Sequence, residues 1–332
     1  MNRIWCAFAL SVMLAGAMAT TPAAASPASD QSDCGYGPQP DAAIAACSRA
    51  IASGRFRGGD LGELHGKRAD LYYRFKQDYD RAIADYTRAI QLYAASREDL
   101  LLDPLPELYR GRGDAYVKKG EYDRAIADYN EAIKRDRNVL WGYHSRGDAY
   151  AAKGELNRAI SDYSDAIQLH PTNDTYYLSR GIAHLYSGAL GKAQGDIVQA
   201  STMQPSSPLD LYKTLWLDLV NVRAKQPSVL AQAILRMEGM GFSKKLWPGP
   251  LMQLLLGQST PDDVLAAAET PPPQKLQQTC EANFFIGQMA LRQGTKDEAA
   301  RRFRLAAAKD CPKVRAGWWA ASAELKALGA SR

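Results

Sequence analysis

The sequence predicts an all-α fold: a right-handed solenoid of stacked antiparallel helix pairs, followed by an irregular helical segment and a final helix pair. Two observations predict it. A residue pattern recurs every 34 positions, and within each copy small and aromatic residues lie three or four apart. Such spacing places them on one helical face, and a fixed period of this length is typical of helix–turn–helix units. One pair cannot bury its apolar face alone, so neighbouring pairs must stack.

The copies are clearest between residues 106 and 207. Small residues such as Gly113 and Ala125 lie where two helices must approach closely. Gly120 and Gly154 follow the first helix of a pair, where a terminal glycine is favoured. Equivalent positions are Tyr109, Gly113, Tyr116, Gly120, Tyr122, Ala125, Tyr129 and Ala132 in the first copy, Tyr143, Gly147, Tyr150, Gly154, Leu156, Ala159, Tyr163 and Ala166 in the second, and Tyr177, Gly181, His184, Gly188, Leu190, Ala193, Ile197 and Ala200 in the third.

This pattern resembles the tetratricopeptide repeat (TPR) family, which implies protein binding as the usual function. Residues 41–51 match residues 80–90 in register, which indicates a lone second helix before the first full repeat. The predicted divisions are an N-terminal capping half-repeat (residues 26–59), a first repeat (60–105), three regular repeats (106–139, 140–173 and 174–207), the irregular helical segment (208–279), a terminal TPR-like repeat (280–312) and a capping helix (313–332). Within the first repeat, residues 96–105 are an insertion that extends the helix or forms a loop. Trp318 and Trp319 of the capping helix are expected to cover the terminal repeat.

Residues 1–25 are predicted to be a secretory signal peptide. Arg3 supplies the positive start, and residues 4–17 form an apolar stretch that is short for a membrane span. Cleavage after Ala25 follows a small–x–small pattern, and residues 17–19 are a second candidate. Since no Cys directly follows the small residues at the end of this stretch, we expect a soluble exported protein, periplasmic or secreted, without a stable membrane anchor.

Four cysteines remain once Cys6 leaves with the leader. An even count in an oxidising compartment indicates disulfides. Cys47 takes an inward-facing repeat position and Cys34 lies in the loop before it, whereas Cys280 and Cys311 lie at adjacent ends of two antiparallel helices. We therefore predict Cys34–Cys47 and Cys280–Cys311 bridges. Free or metal-bound cysteines are the alternative, although the sequence has no C-x-x-C spacing.

Composition and charge are those of an ordinary soluble protein, with 46% hydrophobic residues, 23% charged residues and a net charge of +5. Basic and acidic residues are interleaved and no polybasic run occurs, which disfavours nucleic acid as a partner. No histidine stands in an H-E-x-x-H string, and no G-x-S-x-G, phosphate-loop or Rossmann pattern is found. We expect no catalysis, no cofactor and no metal site.

In stacked TPRs the first helices line a concave groove, so the resemblance implies which side chains line it. The groove is expected to run from charged at its N-terminal side to apolar at its C-terminal side, which suits an amphipathic helix or an extended segment. The implied lining comprises Asp70; Glu107, Arg110, Asp114, Val117 and Lys118; Trp141, His144, Asp148, Ala151 and Ala152; and Thr175, Leu178, Ile182, Leu185 and Tyr186.

Asp114 and Asp148 stand where TPRs that clamp a C-terminal carboxylate use Asn. This difference disfavours an acidic tail as ligand and favours a basic segment. The alternative is that these aspartates pair with Arg residues of neighbouring helices.

A second charged pattern predicts contacts between helices. Each first helix carries an Arg one step before the Gly or Ala position, and each second helix carries an Asp. We predict Arg–Asp pairs that hold the repeats in register and, if exposed, add specificity more than stability. The residues are Arg68, Arg112, Arg146 and Arg180 with Asp85, Asp128, Asp162 and Asp196.

The C-terminal third carries a further resemblance. Its segments WPGPLMQLLLGQ (residues 247–258), CEANFFIGQMALRQG (280–294) and DEAARRFRLA (297–306) are similar to the tail of the new lipoprotein I (NlpI) family of envelope TPR lipoproteins. The likeness extends from residue 109 to the end. It implies a dimeric, periplasm-facing adaptor that brings peptidoglycan hydrolases and a processing protease together. The chain departs from that family in lacking the lipobox Cys and in having the N-terminal half-repeat.

These observations predict a non-catalytic periplasmic adaptor or scaffold that binds protein segments in its groove. From the resemblance, peptidoglycan hydrolases or a periplasmic protease are its expected partners and a homodimer its expected assembly. The alternative is a glycan-binding envelope module in which Trp141 and Tyr186 stack on sugar rings. An enzyme is a third hypothesis, which the missing motifs disfavour.

Overall fold

The fold is described by a computed structural model over residues 32–35, 39–96, 103–139, 141–203, 209–239, 241, 243–268, 274–312 and 316–330. Within these residues the chain forms α-helices and no strand, and each helix packs against the next, which confirms the all-α solenoid. The helices are α1 (Pro40–Ala52), α2 (Gly58–Leu71), α3 (Tyr79–Ser96), α4 (Leu105–Lys119), α5 (Tyr122–Arg135), α6 (Gly142–Lys153), α7 (Leu156–Leu169), α8 (Asp174–Tyr186), α9 (Leu190–Met203), α10 (Leu209–Arg223), α11 (Leu230–Gly239), α12 (Gly249–Leu255), α13 (Pro261–Ala267), α14 (Gln274–Arg292), α15 (Lys296–Ala306) and α16 (Ala316–Ala327).

Two predictions concern residues outside this description. The leader, residues 1–25, lies wholly outside the described residues, and so do residues 97–102 of the insertion. None of the described helices is both long and apolar enough to cross a lipid bilayer.

Glycine opposite an aromatic ring sets the spacing of the helix pairs. A Cβ at Gly113 would lie 2.8 Å from Cε1 of Tyr129, and one at Gly147 would lie 2.7 Å from Cε1 of Tyr163. Both tyrosines are fully buried, at 1% and 0% exposure. The two helices of these repeats can therefore approach closely only because the first one carries no side chain at that position. The terminal pair, α14 and α15, uses the same arrangement with Gly287 and Phe303.

The first full repeat has one residue more than the others, and a π-helical turn accommodates it. Asp70 and Gln77 are seven positions apart, whereas their equivalents Asp114 and Gly120 are six apart. Residues Tyr72–Lys76 form the π-helix between α2 and α3, and Gln77 ends it in the left-handed region at φ 52°. A single inserted residue is a common origin of such a turn.

The predicted Arg–Asp pairs are confirmed, and each reaches a third helix. Arg112 on α4 makes two parallel bonds to Asp128 on α5, with Nε to Oδ2 at 2.9 Å and Nη2 to Oδ1 at 2.7 Å. Its Nη1 donates to Thr87 of the preceding repeat at 3.0 Å. The four aspartates are buried, so these pairs are not exposed surface contacts. The same contacts join Arg68 to Asp85 and Ser48, Arg146 to Asp162 and Asn130, and Arg180 to Asp196 and Ser164.

Both predicted cysteine pairs lie at disulfide distance. Cys34 and Cys47 have an S–S distance of 2.16 Å and are fully buried with Leu64 of α2, so the bond ties the N-terminal end to α1. Cys280 and Cys311 have an S–S distance of 1.99 Å and join the N-terminal part of α14 to the segment that follows α15.

The last helix packs on the terminal repeat as predicted, and it reaches further. Trp318 and Trp319 were expected to cover the last repeat, and α16 does pack on α14 and α15. It also contacts α6 and α8, the first helices of two earlier repeats. The Trp318 ring lies 6.2 Å from Tyr122, and the Trp319 ring lies 5.4 Å from Tyr186. The C-terminal part of the chain therefore folds back into the inner side of the solenoid.

Candidate functional site

Three carboxylates occupy equivalent positions on the inner helices α2, α4 and α6. The Tyr129 hydroxyl donates to Asp114 Oδ1 at 2.7 Å, and the Tyr163 hydroxyl donates to Asp148 Oδ1 at 2.7 Å. In the first repeat Tyr86 makes the same bond to Asp70. A tyrosine of the second helix thus fixes each carboxylate of the first, and we call these three aspartates the acidic row.

Solvent reaches the acidic row only in part. The side chains of Asp114 and Asp148 are 27% and 31% exposed. Burial raises the pKa of both carboxyls above the ordinary value, although the tyrosine hydroxyls and the nearby Arg110 and His144 act in the opposite direction. A carboxylate in this setting gains more from a cationic partner than one in open water, because the surrounding dielectric is lower.

A small network links the acidic row to the next repeat. Arg110 Nε donates to Glu107 Oε2 at 2.8 Å, and Arg110 Nη1 lies 3.5 Å from Asp114 Oδ2. Trp141 Nε1 donates to the other oxygen of Glu107 at 2.7 Å, and the guanidinium carbon of Arg110 lies 5.4 Å from the Trp141 ring centroid. Glu107, Arg110 and Trp141, all predicted groove residues, are therefore brought together and hold one another in place.

His144 joins α6 to α8 beside the last aspartate of the acidic row. Its Nε2 lies 3.0 Å from the Ser179 hydroxyl oxygen, and its Nδ1 lies 3.8 Å from Asp148 Oδ2. The imidazole stacks on Tyr176 with 4.9 Å between ring centroids. Asp148 thus has one hydroxyl and one imidazole as neighbours, and no lysine or arginine of the described residues pairs with it.

A cavity of about 190 Å³ opens beside Asp148, where α6 and α8 face α10 and α14. Its charged residues include Asp148 and Glu281 together with the ion pair of Lys213 and Asp174, whose Nζ and Oδ2 lie 2.6 Å apart. The rest of the wall is largely aromatic and aliphatic, and it includes Leu178, Ile182, Trp216, Phe284, Phe285 and Trp319.

Several predicted groove side chains are buried in the structure and do not face an open groove. Val117 is 5% exposed and packs with Ala125 and Tyr129 in the core between helices. Ile182 is 1% exposed and forms part of the cavity wall. Tyr186 is covered by α16 and does not face an open groove. The side chains of Ala151, Ala152 and Leu185 are buried as well.

Lys118 and Thr175 remain at surfaces of the inner side. Lys118 lines a cleft with Tyr73 and Lys119, and Thr175 lines the cavity near Asp148. Among the described residues, no group of three or more His, Cys, Asp or Glu side chains is arranged to hold a metal ion.

Comparison with protein-family models decides what the repeats are. One model, described as TPR repeat, matches residues 113–154 and 147–188, and a second, described as tetratricopeptide repeat, matches residues 63–96. The chain contains tetratricopeptide repeats. The matched residues fall within α2 to α8 and the turn after α8, and they include the three aspartates of the acidic row.

One solved structure agrees with this assignment at the level of the fold, and two others are similar to part or most of the chain. A tetratricopeptide repeat protein from Parabacteroides merdae aligns with a TM-score of 0.52 at 16% identity, over 79% of this chain and 98% of that one. A TPR repeat-containing protein from Cytophaga hutchinsonii aligns with a TM-score of 0.47 at 19% identity, over 82% and 90%. YrrB, described as a TPR protein with an unusual peptide-binding site, aligns with a TM-score of 0.43 at 18% identity, over 52% and 82%. The search of curated proteins gives no significant match.

The TPR pattern misses the residues that close the groove. Glu281, Trp216 and Trp319 line the cavity, but they come from α14, α10 and α16, and none occupies an inner-helix position of the regular repeats. The 34-residue period relates none of the three to a position in the regular repeats, so the repeat pattern gives no signal for them. Helices α14 and α16 therefore close the groove at the cavity beside Asp148. C-terminal residues also border the first two repeats, where Leu276 and Lys309 line a cleft with Lys118.

Proposed function

We propose that this protein is a non-catalytic adaptor that binds a basic segment of a partner protein along the inner side of its N-terminal TPRs. The observation that carries the proposal is the acidic row, in which Asp70, Asp114 and Asp148 are each oriented by a buried tyrosine. Side chains held in one conformation before binding lose little entropy when a ligand arrives. A repeated carboxylate on successive inner helices suits a ligand that runs along the solenoid.

The charge balance of this part of the groove favours a basic ligand. Among the predicted lining residues of this part, four are carboxylates, those of the acidic row and Glu107, and two are cations, Arg110 and Lys118. Arg110 is already engaged by Glu107 and Asp114, with contacts of 2.8 and 3.5 Å. Complementary charge also accelerates encounter and excludes acidic competitors, which gives the groove its specificity.

We further propose a periplasmic location, with peptidoglycan hydrolases or a protease as partners and a homodimer as the assembly. Two disulfide pairs support an oxidising compartment, because such bonds are rare where thiols are kept reduced. The partner classes and the dimer rest on the resemblance of the C-terminal third to the NlpI family.

A glycan-binding role has weaker support from the same residues. Its two stacking residues would be Trp141 and Tyr186, but Tyr186 is covered by Trp319 and Glu324. Trp141 already has Arg110 over its ring. Sedimentation of the mature chain with purified peptidoglycan tests this alternative directly, because a glycan module co-sediments and a protein adaptor does not.

The proposed function is tested with two matched fluorescent peptides. One is an amphipathic peptide of Leu, Lys and Arg, and the other replaces each basic residue with Glu. We expect the mature chain to bind the basic peptide and not the acidic one, and binding to weaken as salt rises. The triple variant Asp70→Asn/Asp114→Asn/Asp148→Asn should bind at least about tenfold more weakly, because it removes the negative charge while Asn can still accept the tyrosine hydrogen bonds.

The matched control changes the same number of charges on the second helices. Asp41, Asp80 and Asp123 are 81%, 81% and 85% exposed and recur at one position of successive repeats. The variant Asp41→Asn/Asp80→Asn/Asp123→Asn has the same net charge as the acidic-row variant. Equal loss of binding in the two variants would indicate a net-charge effect and contradict the groove assignment.

A further inference from the structure

The cavity beside Asp148 has the size of a site for one side chain. Its volume of about 190 Å³ lies below that of typical small-molecule sites, which are about 300–1,000 Å³. It lies at the end of the acidic row, where α14 and α16 close the groove. For a ligand segment that follows the row, the cavity therefore has room for one side chain.

The charges of the wall favour a cation in this cavity. Asp148 and Glu281 both line it, and the charge of Lys213 is already balanced by Asp174 at 2.6 Å. Lys213 Nζ also donates to the Ala200 carbonyl oxygen at 3.0 Å, so the ammonium is held in the wall. Apart from His144, the charged side chains of the wall are three carboxylates and one ammonium, which is an excess of two negative charges.

The aromatic side chains favour the same kind of ligand. Trp216, Phe284 and Phe285 pack against one another with ring centroids 5.1 to 6.1 Å apart, and Trp319 closes the cavity from α16. Aromatic faces attract cations, and a planar guanidinium both stacks on such faces and makes paired hydrogen bonds to a carboxylate. An apolar side chain would fit the wall but would leave Asp148 desolvated without compensation.

We infer that this cavity is a binding site for an arginine side chain of the ligand segment, with Asp148 as the carboxylate that receives the guanidinium. The inference rests on the proposed function, because it identifies the place in the groove where one residue of the basic segment is recognised. Asp148 suits the role because its Oδ1 is fixed by Tyr163 at 2.7 Å, and among the described residues no lysine or arginine pairs with it. Asp114, its equivalent in the preceding repeat, already has Arg110 at 3.5 Å.

The test uses N-acetylargininamide as a probe, with N-acetylcitrullinamide as its neutral isostere. Each is titrated into the mature chain from about 0.1 to 50 mM, since a single residue is expected to bind with a Kd near 1 mM. Binding is followed by tryptophan emission, because Trp216 and Trp319 line the cavity. We expect a saturable change with argininamide and a response to citrullinamide that is at least about tenfold weaker.

Two variants locate the response. Asp148→Asn keeps an acceptor for Tyr163 and removes the charge, so it should fold and lose at least about tenfold in argininamide affinity. Asp123→Asn makes the same change at a side chain that is 85% exposed on α5, outside the groove, and should leave the affinity within about twofold. Circular dichroism and a thermal melt establish that both variants are folded.

The outcomes separate this inference from the proposed function. Equal responses to the two amides, no response to argininamide, or unchanged affinity in Asp148→Asn would overturn the arginine site, even if the basic peptide still binds the groove. Binding of argininamide that depends on Asp148, together with no binding of either peptide, would support the cavity site and contradict the peptide-binding groove.

Discussion

The Tyr186 hydroxyl donates a hydrogen bond of 2.9 Å to the Glu324 carboxylate, which lies 138 positions later in the chain. Glu324 is 5% exposed, and the same oxygen accepts a bond of 2.8 Å from Gln288 and a bond from Arg223. Helices α8, α10 and α14 thus meet α16 at one buried carboxylate. This contact fixes the C-terminal helix against the TPRs and determines where the groove ends.

Loss of the Glu324 carboxylate should strongly destabilise the protein. Glu324→Ala leaves the Arg223 charge and the Tyr186 hydroxyl without their buried partner, and we expect a loss of about 3–5 kcal/mol in the free energy of unfolding. Tyr186→Phe removes one neutral donor and should cost about 1 kcal/mol. Urea denaturation measures both. Glu131→Ala, at a side chain 44% exposed, is the control and should change little. Equal effects at Glu324 and Glu131 would show that the contact does not hold α16.

The Arg–Asp pairs give a second prediction. Arg112→Ala leaves the buried Asp128 without its cation, and we expect a loss of about 3–5 kcal/mol. The double variant Arg112→Ala/Asp128→Ala should recover part of this loss, because no buried charge then remains. The control is Arg124→Ala, whose side chain is 68% exposed and pairs with Glu121 at 2.8 Å. Denaturation midpoints that are the same for Arg112→Ala and Arg124→Ala would argue against a role for the pairs in stability.

The 34-residue period could predict these pairs because it fixes the relative positions of consecutive helices. Once the two helices of a repeat are assigned, Arg112 must face Asp128, and Gly113 must face Tyr129. The same reasoning locates the acidic row. The groove end could not be predicted in this way. Tyr186 and Glu324 lie on elements separated by the irregular segment, where no period relates one position to another, so their contact depends on how the whole chain folds back.

The burial of Val117 has a related explanation. The family pattern assigns it to the groove from its place on the first helix, but the neighbouring repeat covers it. It packs with Ala125, Ile126 and Tyr129 and with Ala149 of α6. A position on a helix predicts which direction a side chain takes, and only the packed structure shows which neighbour lies in that direction.

Glycine substitutions should have opposite effects at two sites. Gly147→Ala would place a Cβ 2.7 Å from the buried Tyr163 ring, and we expect destabilisation of about 1–3 kcal/mol because the helix pair must separate. Gly195 lies within α9, and a Cβ there would meet no heavy atom within 4 Å beyond its own helix backbone, so Gly195→Ala should stabilise by about 0.4–1 kcal/mol. Thermal and urea unfolding measure the difference. A stabilising Gly147→Ala would contradict the close approach of α6 and α7.

The two disulfides should differ in their contribution to stability. The bond between Cys280 and Cys311 spans 31 positions and that between Cys34 and Cys47 spans 13. If the constraint on the unfolded chain dominates, removing them should cost about 4 and about 3 kcal/mol respectively. The paired Cys→Ala variants isolate each bond, and unfolding under oxidising conditions measures the cost. Unchanged stability of either variant in the absence of reductant would show that the corresponding bond does not form.

The charge on Asp148, the last residue of the acidic row, should lower the free energy of unfolding in a way that depends on pH. Burial raises the pKa of Asp148 in the folded state above its ordinary value of 3.8. At pH values between the unfolded-state and folded-state pKa, the folded state therefore binds more protons than the unfolded state. Stability contributed by this carboxyl therefore decreases as pH rises through that window, and the charged form is the less favourable one at pH 7. Asp148→Asn should accordingly unfold at a higher temperature than the wild type at pH 7 and at a similar temperature near pH 3.

A second substitution at the same residue separates the charge from the hydrogen bond. Asp148→Ala leaves the fully buried Tyr163 hydroxyl without its acceptor and should cost about 1–3 kcal/mol at both pH values. If Asp148→Asn instead lowers the melting temperature at pH 7, the carboxylate stabilises the fold and its position needs no ligand to explain it. If Asp148→Asn is more stable than the wild type, the chain carries a destabilising charge at the end of its groove, which is expected where a residue serves binding.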